Sequence, residues 1–238
     1  MMEGFSPYLS YLSLMSKDPD GQAFREAMQF SKENLQTGGK DQQVAESTGP
    51  VWLGPRLQSS KLPNGYVTVV YEKGAWIFHM LRYLFQDPAT PSDLRFQSFV
   101  KDLIRIFSEK SIGTVNLQQL AEKHMTKSMD LEGNRKLDWF FEEWVYDTGI
   151  PTYRLSFSTV SLKEGKVLLK GKILQEDVPE SFTMPVEMFA HFQGEKVIKL
   201  GRVDVLGKET SFRFTLDSKP LKVSLDHNHR ILCTNKTL

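Results

Sequence analysis

Cys233 is the only cysteine in 238 residues, so no internal disulfide can form. The chain therefore neither needs an oxidising compartment nor reveals one. Neither sign of charge is in excess: 30 lysines and arginines stand against 29 aspartates and glutamates, a formal charge of +1. A generic nucleic-acid binder carries a basic surplus, so that class is set aside. No stretch approaches 18 uninterrupted apolar residues, which leaves no candidate for a transmembrane segment. Met1-Met2-Glu3-Gly4-Phe5-Ser6 has neither the basic region nor the apolar core of a secretory signal. Chemical motifs are equally sparse. The histidines are His79, His124, His191, His227 and His229, and none lies in H-E-x-x-H; His227 and His229, two apart, read as surface residues. There is no C-x-x-C, no phosphate-cradling glycine loop and no G-x-S-x-G, so motifs alone supply no complete active site.

What the chain does have is one dense apolar stretch, Val69 to Phe85. From Glu72 it predicts a helix with Ala75, Phe78 and Leu81 at steps of three to four, and Trp76, Ile77, Met80, Leu84 and Phe85 filling the rest. A helix apolar around most of its girth is buried on most sides. It opens with Tyr71-Glu72-Lys73-Gly74, and polar groups at the mouth of a buried helix must find partners or serve a site. Read locally, this is a capped core helix with a snorkelling Lys and Tyr.

Around it, helical spacing predicts Phe5–Leu14, Gln22–Asn34 (through Phe24, Ala27, Met28 and Phe30), Asp93–Glu109 with Ser92 as N-cap, Leu117–Met125 and Leu137–Tyr146. Turns are expected at Asp18-Pro19-Asp20-Gly21, Thr37-Gly38-Gly39-Lys40 and 87–92. Residues 40–66 form a long, polar connection broken by Gly-Pro pairs, of the kind that is often functional. Tyr66–Val70 is a short β-branched run leading into the helix. Thr148-Gly149-Ile150-Pro151 stops the last helix, with glycine as cap and proline beyond. After it the period changes to two. Tyr153, Leu155 and Phe157 alternate with polar residues, and further strands are expected at 166–174, 185–192, 196–203, 211–216 and 222–225. Glu164-Gly165, Gln193-Gly194 and Leu206-Gly207 read as hairpin turns. The fold class is α+β: a helical part, 1–150, followed by an antiparallel β-sandwich, 151–238.

The order of these landmarks resembles the gluzincin zinc aminopeptidases, the family of membrane alanyl aminopeptidase. It is carried by Glu3-Gly4-Phe5, by Tyr71-Glu72-Lys73-Gly74 with its apolar helix, and by Leu137-Asp138-Trp139-Phe140-Phe141-Glu142-Glu143-Trp144-Val145 running into Gly149-Ile150-Pro151 and a sandwich. The resemblance implies that residues 1–150 are the helical remainder of a thermolysin-like catalytic domain. It makes Glu3 the third zinc ligand and Tyr71 the residue that steadies the tetrahedral intermediate. The two histidine ligands and the general base, carried in this family by H-E-x-x-H, would lie before Met1. Zinc is thus implied for a complete enzyme acting on peptide N-termini, and this chain alone is expected to hold no zinc and to be inactive. A tyrosine suits the oxyanion because its hydroxyl donates while staying neutral near pH 7. The missing N-terminal part of the catalytic domain becomes an implied partner. The central helix, Phe5 and Tyr8 are expected to face it, and residues 40–66 to line the substrate cleft. The rival reading is a non-catalytic module that holds peptides or proteins on the same scaffold. Localisation is left open.

Overall fold

The computed structural model describes residues 2–18, 20–37, 44–59, 63–88 and 91–237, so the turn positions at 19, 38–40 and 89–90 lie outside the described residues. The chain is α+β and divides into two compact units, 1–148 and 149–238, the first helical and the second built of strands.

In the first unit, α1 (Phe5–Leu14) carries Pro7 in its first turn, where a missing N–H breaks no helical bond. The helix α2 (Gln22–Gln36) buries Phe24, Met28, Ser31 and Leu35, steps of four, three and four. Phe30 falls off that stripe and stands in solvent, contrary to its expected place on the buried face. The central element is longer than the sequence suggested. A short α3 (Gly65–Val67), a wide π-type turn (Thr68–Lys73) and α4 (Gly74–Phe85) follow one another without a break. The β-branched run 66–70 is helical, and Val69 and Val70 are fully buried. Burying a valine stabilises by about 1.5–3 kcal/mol, against about 0.7 kcal/mol or less lost by placing it in a helix. Packing therefore outweighs propensity here.

Every residue of α4 except Arg82 is buried. Phe5 sits against Phe78 with ring centroids 4.8 Å apart, and the Tyr8 hydroxyl meets His79 Nδ1 at 3.2 Å. Phe5, Tyr8 and the central helix are thus covered from within this chain and do not form the exposed seam that the sequence suggested. The helix α5 (Leu94–Phe107) buries Phe96, Phe99 and Leu103. Its N-cap position is Asp93, one residue beyond the expected Ser92, although Ser92 Oγ still accepts from the Leu94 N–H at 3.3 Å. The Asp93 carboxylate takes Arg82 Nε at 2.9 Å and Gln86 Nε2 at 2.8 Å, tying the end of α4 to the start of α5. After α6 (Thr114–His124), the aromatic run becomes α7 (Asp138–Phe141) and a second π-type turn (Glu142–Tyr146), with Trp139, Phe140, Phe141 and Trp144 buried.

The second unit holds β1 (Thr152–Ser161), β2 (Val167–Glu176), β3 (Thr183–His191), β4 (Val197–Leu206), β5 (Glu209–Leu216), β6 (Lys222–Leu225) and β7 (Thr234–Thr237). They form two sheets, ordered β5-β2-β1-β7 and β4-β3-β6. Pairing is antiparallel except between β1 and β7, which is parallel, so the wholly antiparallel expectation fails at the C-terminal strand. Glu164-Gly165 turns β1 into β2 with both residues at positive φ, the conformation of a two-residue hairpin turn. Leu206-Gly207 is not a hairpin within a sheet: β4 and β5 belong to different sheets, and this turn carries the chain between them.

One polar group sits deep in this unit. Asp226 is 3% exposed, and its carboxylate accepts the N–H groups of Arg230 at 2.7 Å and Ile231 at 3.1 Å. Burial outweighs those bonds and pushes its pKa up to about 7. A carboxyl raised in the fold stabilises when protonated. Its contribution is complete below about pH 4, is lost as pH rises through about pH 7, and does not change above that. His191, whose pKa burial lowers, works in the opposite sense, losing its contribution as pH falls. Melting of the parent chain and of Asp226→Asn across pH separates the two. The parent's advantage over the variant should shrink from about pH 4 to about pH 7 and then level off. A pH-independent difference would mean that Asp226 does not titrate there.

Candidate active site

The structure brings the two sequence-marked motifs together through their glycines. A Cβ built on Gly4 would lie 2.4 Å from both Cα and C of Gly74 and 2.7 Å from the Ala75 nitrogen. Position 4 therefore has no room for a side chain, and glycine there lets the main chains approach so closely. This crossing fixes Glu3, on the short 3-10 turn Met2–Gly4, relative to the π-type turn that carries Tyr71. Gly4→Ala should accordingly destabilise the helical unit by about 1–3 kcal/mol, because backbone cannot yield as a side chain can. A thermal melt within error of the parent would show that the crossing tolerates a methyl group.

Each polar residue at the mouth of the central helix has a partner. Tyr71 is half-buried, and its ring meets Tyr66 edge-on, centroids 6.2 Å apart at 87°. Partial desolvation, the Glu3 charge and the Tyr71 phenol together push the Tyr66 phenol upward in pKa, which places all three groups within electrostatic reach. The Tyr66 and Tyr71 side chains also share a hydrogen bond. Glu3 is exposed, and a hydrogen bond from its own backbone N–H holds its carboxyl below the usual range. Glu72 accepts from the Tyr11 hydroxyl at 3.3 Å; burial and that carboxylate push Tyr11 up to about 12.

Lys73 does not snorkel. It is 0% exposed, and its ammonium donates to Glu46 Oε1 at 2.6 Å and to the Asp147 carbonyl at 3.1 Å. Glu46 lies on the short turn Ala45–Thr48, within the long connection, and Asp147 directly follows the second π-type turn. The ion pair therefore clamps the Tyr71 turn from both sides. Residues 41–43 and 60–62 of the connection lie outside the described residues; its helical turn Val51–Leu57 is described and carries Trp52 with the Arg56 guanidinium 4.6 Å above the ring. Sequence reading missed Tyr66, Glu46 and the role of Gly4. Only Gly4 left a signal: each marked motif contains a glycine, Glu3-Gly4-Phe5 and Tyr71-Glu72-Lys73-Gly74.

Among the described residues no group of three or more His, Cys, Asp or Glu is arranged to share a metal ion. Glu3 is a single carboxylate, so the residues described do not by themselves fit a zinc ion. His227 and His229 are exposed.

No protein-family model and no curated protein matches the sequence. The structure is similar to the crystal structure of Legionella pneumophila aminopeptidase A in complex with aspartic acid, with a TM-score of 0.54 and 18% identity. That match covers 73% of this chain and 18% of that one, so this chain spans less than a fifth of its neighbour's length. The likeness is one of fold.

Proposed function

We infer that this chain is part of a zinc-dependent aminopeptidase of the gluzincin kind: the helical remainder of its thermolysin-like catalytic domain, followed by a β-sandwich. The reading is supported chiefly by the Gly4–Gly74 crossing, which holds Glu3 and Tyr71, 68 residues apart in sequence (71 − 3), around one tyrosine. In the complete enzyme Glu3 is the third zinc ligand, and a separate segment supplies the histidine pair and the general base. No reaction step is assigned to metal on this chain, because its described residues do not make that site. What this chain contributes is a hydrogen-bond donor. On this reading the Tyr71 hydroxyl donates to the oxyanion formed when water attacks a peptide carbonyl, and the Lys73–Glu46 pair on the same turn supports that role. Peptides with a free N-terminus are the substrate class.

The coding sequence directly upstream of the Met1 codon tests this. An in-frame H-E-x-x-H shortly before Glu3 is expected. A promoter and ribosome site in its place would overturn the reading and leave a non-catalytic binding module on the same scaffold.

A further inference from the structure

The second unit holds a cleft that the proposed chemistry does not use. Strands β4 and β5 are the outer strands of their two sheets: β4 is bonded to β3 and β5 to β2, and the far edge of each is unpaired among the described residues. Their shared turn closes one end. There the Leu206 N–H donates to Thr210 Oγ1 at 2.9 Å, and the Thr210 hydroxyl donates back to the Leu206 carbonyl at 3.1 Å. The strands still touch at Gly201, where a Cβ would lie 3.6 Å from the Phe214 ring. Beyond that point a cleft of about 580 Å³ opens between the start of β4 and the end of β5. The opening coincides with an irregularity in β4. Met188 pairs with Gly201 and Phe189 with Lys199, so Leu200 is an extra residue, and bulges of this kind re-aim edge side chains.

The lining is amphipathic. Phe192, Ile198, Leu200, Phe214 and Leu221 supply apolar surface, with Ile198 38% and Leu221 68% exposed. Lys196, Lys199 and Lys219 supply positive charge, against Asp217 alone among the lining acids. Lys199 is already paired with Glu187 at 2.5 Å. Lys196 and Lys219 have no ion-pair partner among the described residues, so the rim keeps uncompensated positive charge. Lysines also guard sheet edges against unwanted pairing. Guarding alone does not call for an apolar floor left open between two unpaired edges.

We propose that this cleft binds an extended acidic peptide segment, which adds as a strand to an unpaired edge of β4 or β5. Strand addition takes its affinity from main-chain hydrogen bonds and its selectivity from alternate side chains. Because side chains of a strand alternate between faces, a segment alternating apolar and acidic residues sends one set to the Phe192–Phe214 floor and the other to Lys196 and Lys219.

The test is fluorescence anisotropy of the full chain with a labelled hexapeptide alternating valine and glutamate. A matched peptide with lysine for glutamate should bind at least about tenfold more weakly. Lys196→Glu with Lys219→Glu, both exposed substitutions that leave the core untouched, should reverse that preference. N-methylation of alternate backbone nitrogens should abolish binding of the glutamate peptide. Equal binding of the two peptides, an unchanged preference in the double variant, full binding of the N-methylated peptide, or no saturation below about 1 mM would each overturn the proposal. So would a dimer in sedimentation that the double variant dissolves, since the edge would then be covered by a second copy.

Discussion

Lys73→Met is expected to destabilise the helical unit by about 3–5 kcal/mol, the usual cost of breaking a buried ion pair from one side. The ammonium is fully buried and Glu46 is 4% exposed, so the substitution takes the Lys73 charge away from a carboxylate with little access to water. The pair itself is a poor source of stability. Burial pushes the Lys73 pKa down despite the attraction of Glu46, in keeping with the high desolvation cost of buried ion pairs. Replacing both members, Lys73→Met with Glu46→Leu, should therefore recover most or all of the loss. Urea unfolding of the parent, both single variants and the double variant gives the full cycle. If Lys73→Met falls within about 1 kcal/mol of the parent, the ammonium is not the clamp described above. What the pair secures is geometry: its carboxylate and the Asp147 carbonyl hold the π-type turn at a fixed point from two directions.

Elements that bury a face of their own were legible in the sequence. The 3.6-residue spacing gives α1 and α2 within two residues of their observed ends, and the period-two alternation after Pro151 gives the first six strands. Three features were not legible, each for a physical reason. Tyr66–Val70 reads as extended by composition, yet Val69 and Val70 are helical because tertiary burial outweighs a small propensity cost. The strand β7 is Thr-Asn-Lys-Thr, mostly exposed, with no apolar alternation to announce it; it forms through main-chain pairing with β1. The Leu206-Gly207 turn has the composition of a hairpin, and composition does not say which sheet the next strand joins. At the site, Tyr71 and Glu3 were marked by motif, while Tyr66 and Glu46 were silent. Their roles come from contacts across 63 residues (66 − 3) and 27 residues (73 − 46), which no local pattern encodes.

In a complete enzyme of the proposed kind, Tyr71→Phe should lower kcat about 100- to 1,000-fold with little change in KM, a loss of roughly 3–4 kcal/mol. The substitution removes one hydroxyl and keeps the ring, so the edge-on contact with Tyr66 and the burial of the turn are preserved. Folding should hardly change, and a melt of this chain alone checks that separately. A donor that meets the substrate only when the carbonyl oxygen becomes an oxyanion adds nothing to ground-state binding, which is why the loss falls on kcat. Tyr66→Phe is the internal comparison. Tyr66 neighbours Tyr71 and senses Glu3, so its loss should alter the surroundings of the site without removing the donor, and kcat should fall far less. Glu3→Gln should behave differently from both. If Glu3 is a metal ligand as proposed, the activity lost should return in part with added zinc, which cannot rescue a missing hydroxyl. Steady-state kinetics of the three variants, measured with and without added zinc, separates donor, neighbour and ligand. If Tyr71→Phe keeps kcat within a few-fold of the parent while the melt is also unchanged, Tyr71 is a packing residue. The catalytic reading of Tyr71-Glu72-Lys73-Gly74 then fails, and the scaffold is better explained as a module that holds peptides without cutting them.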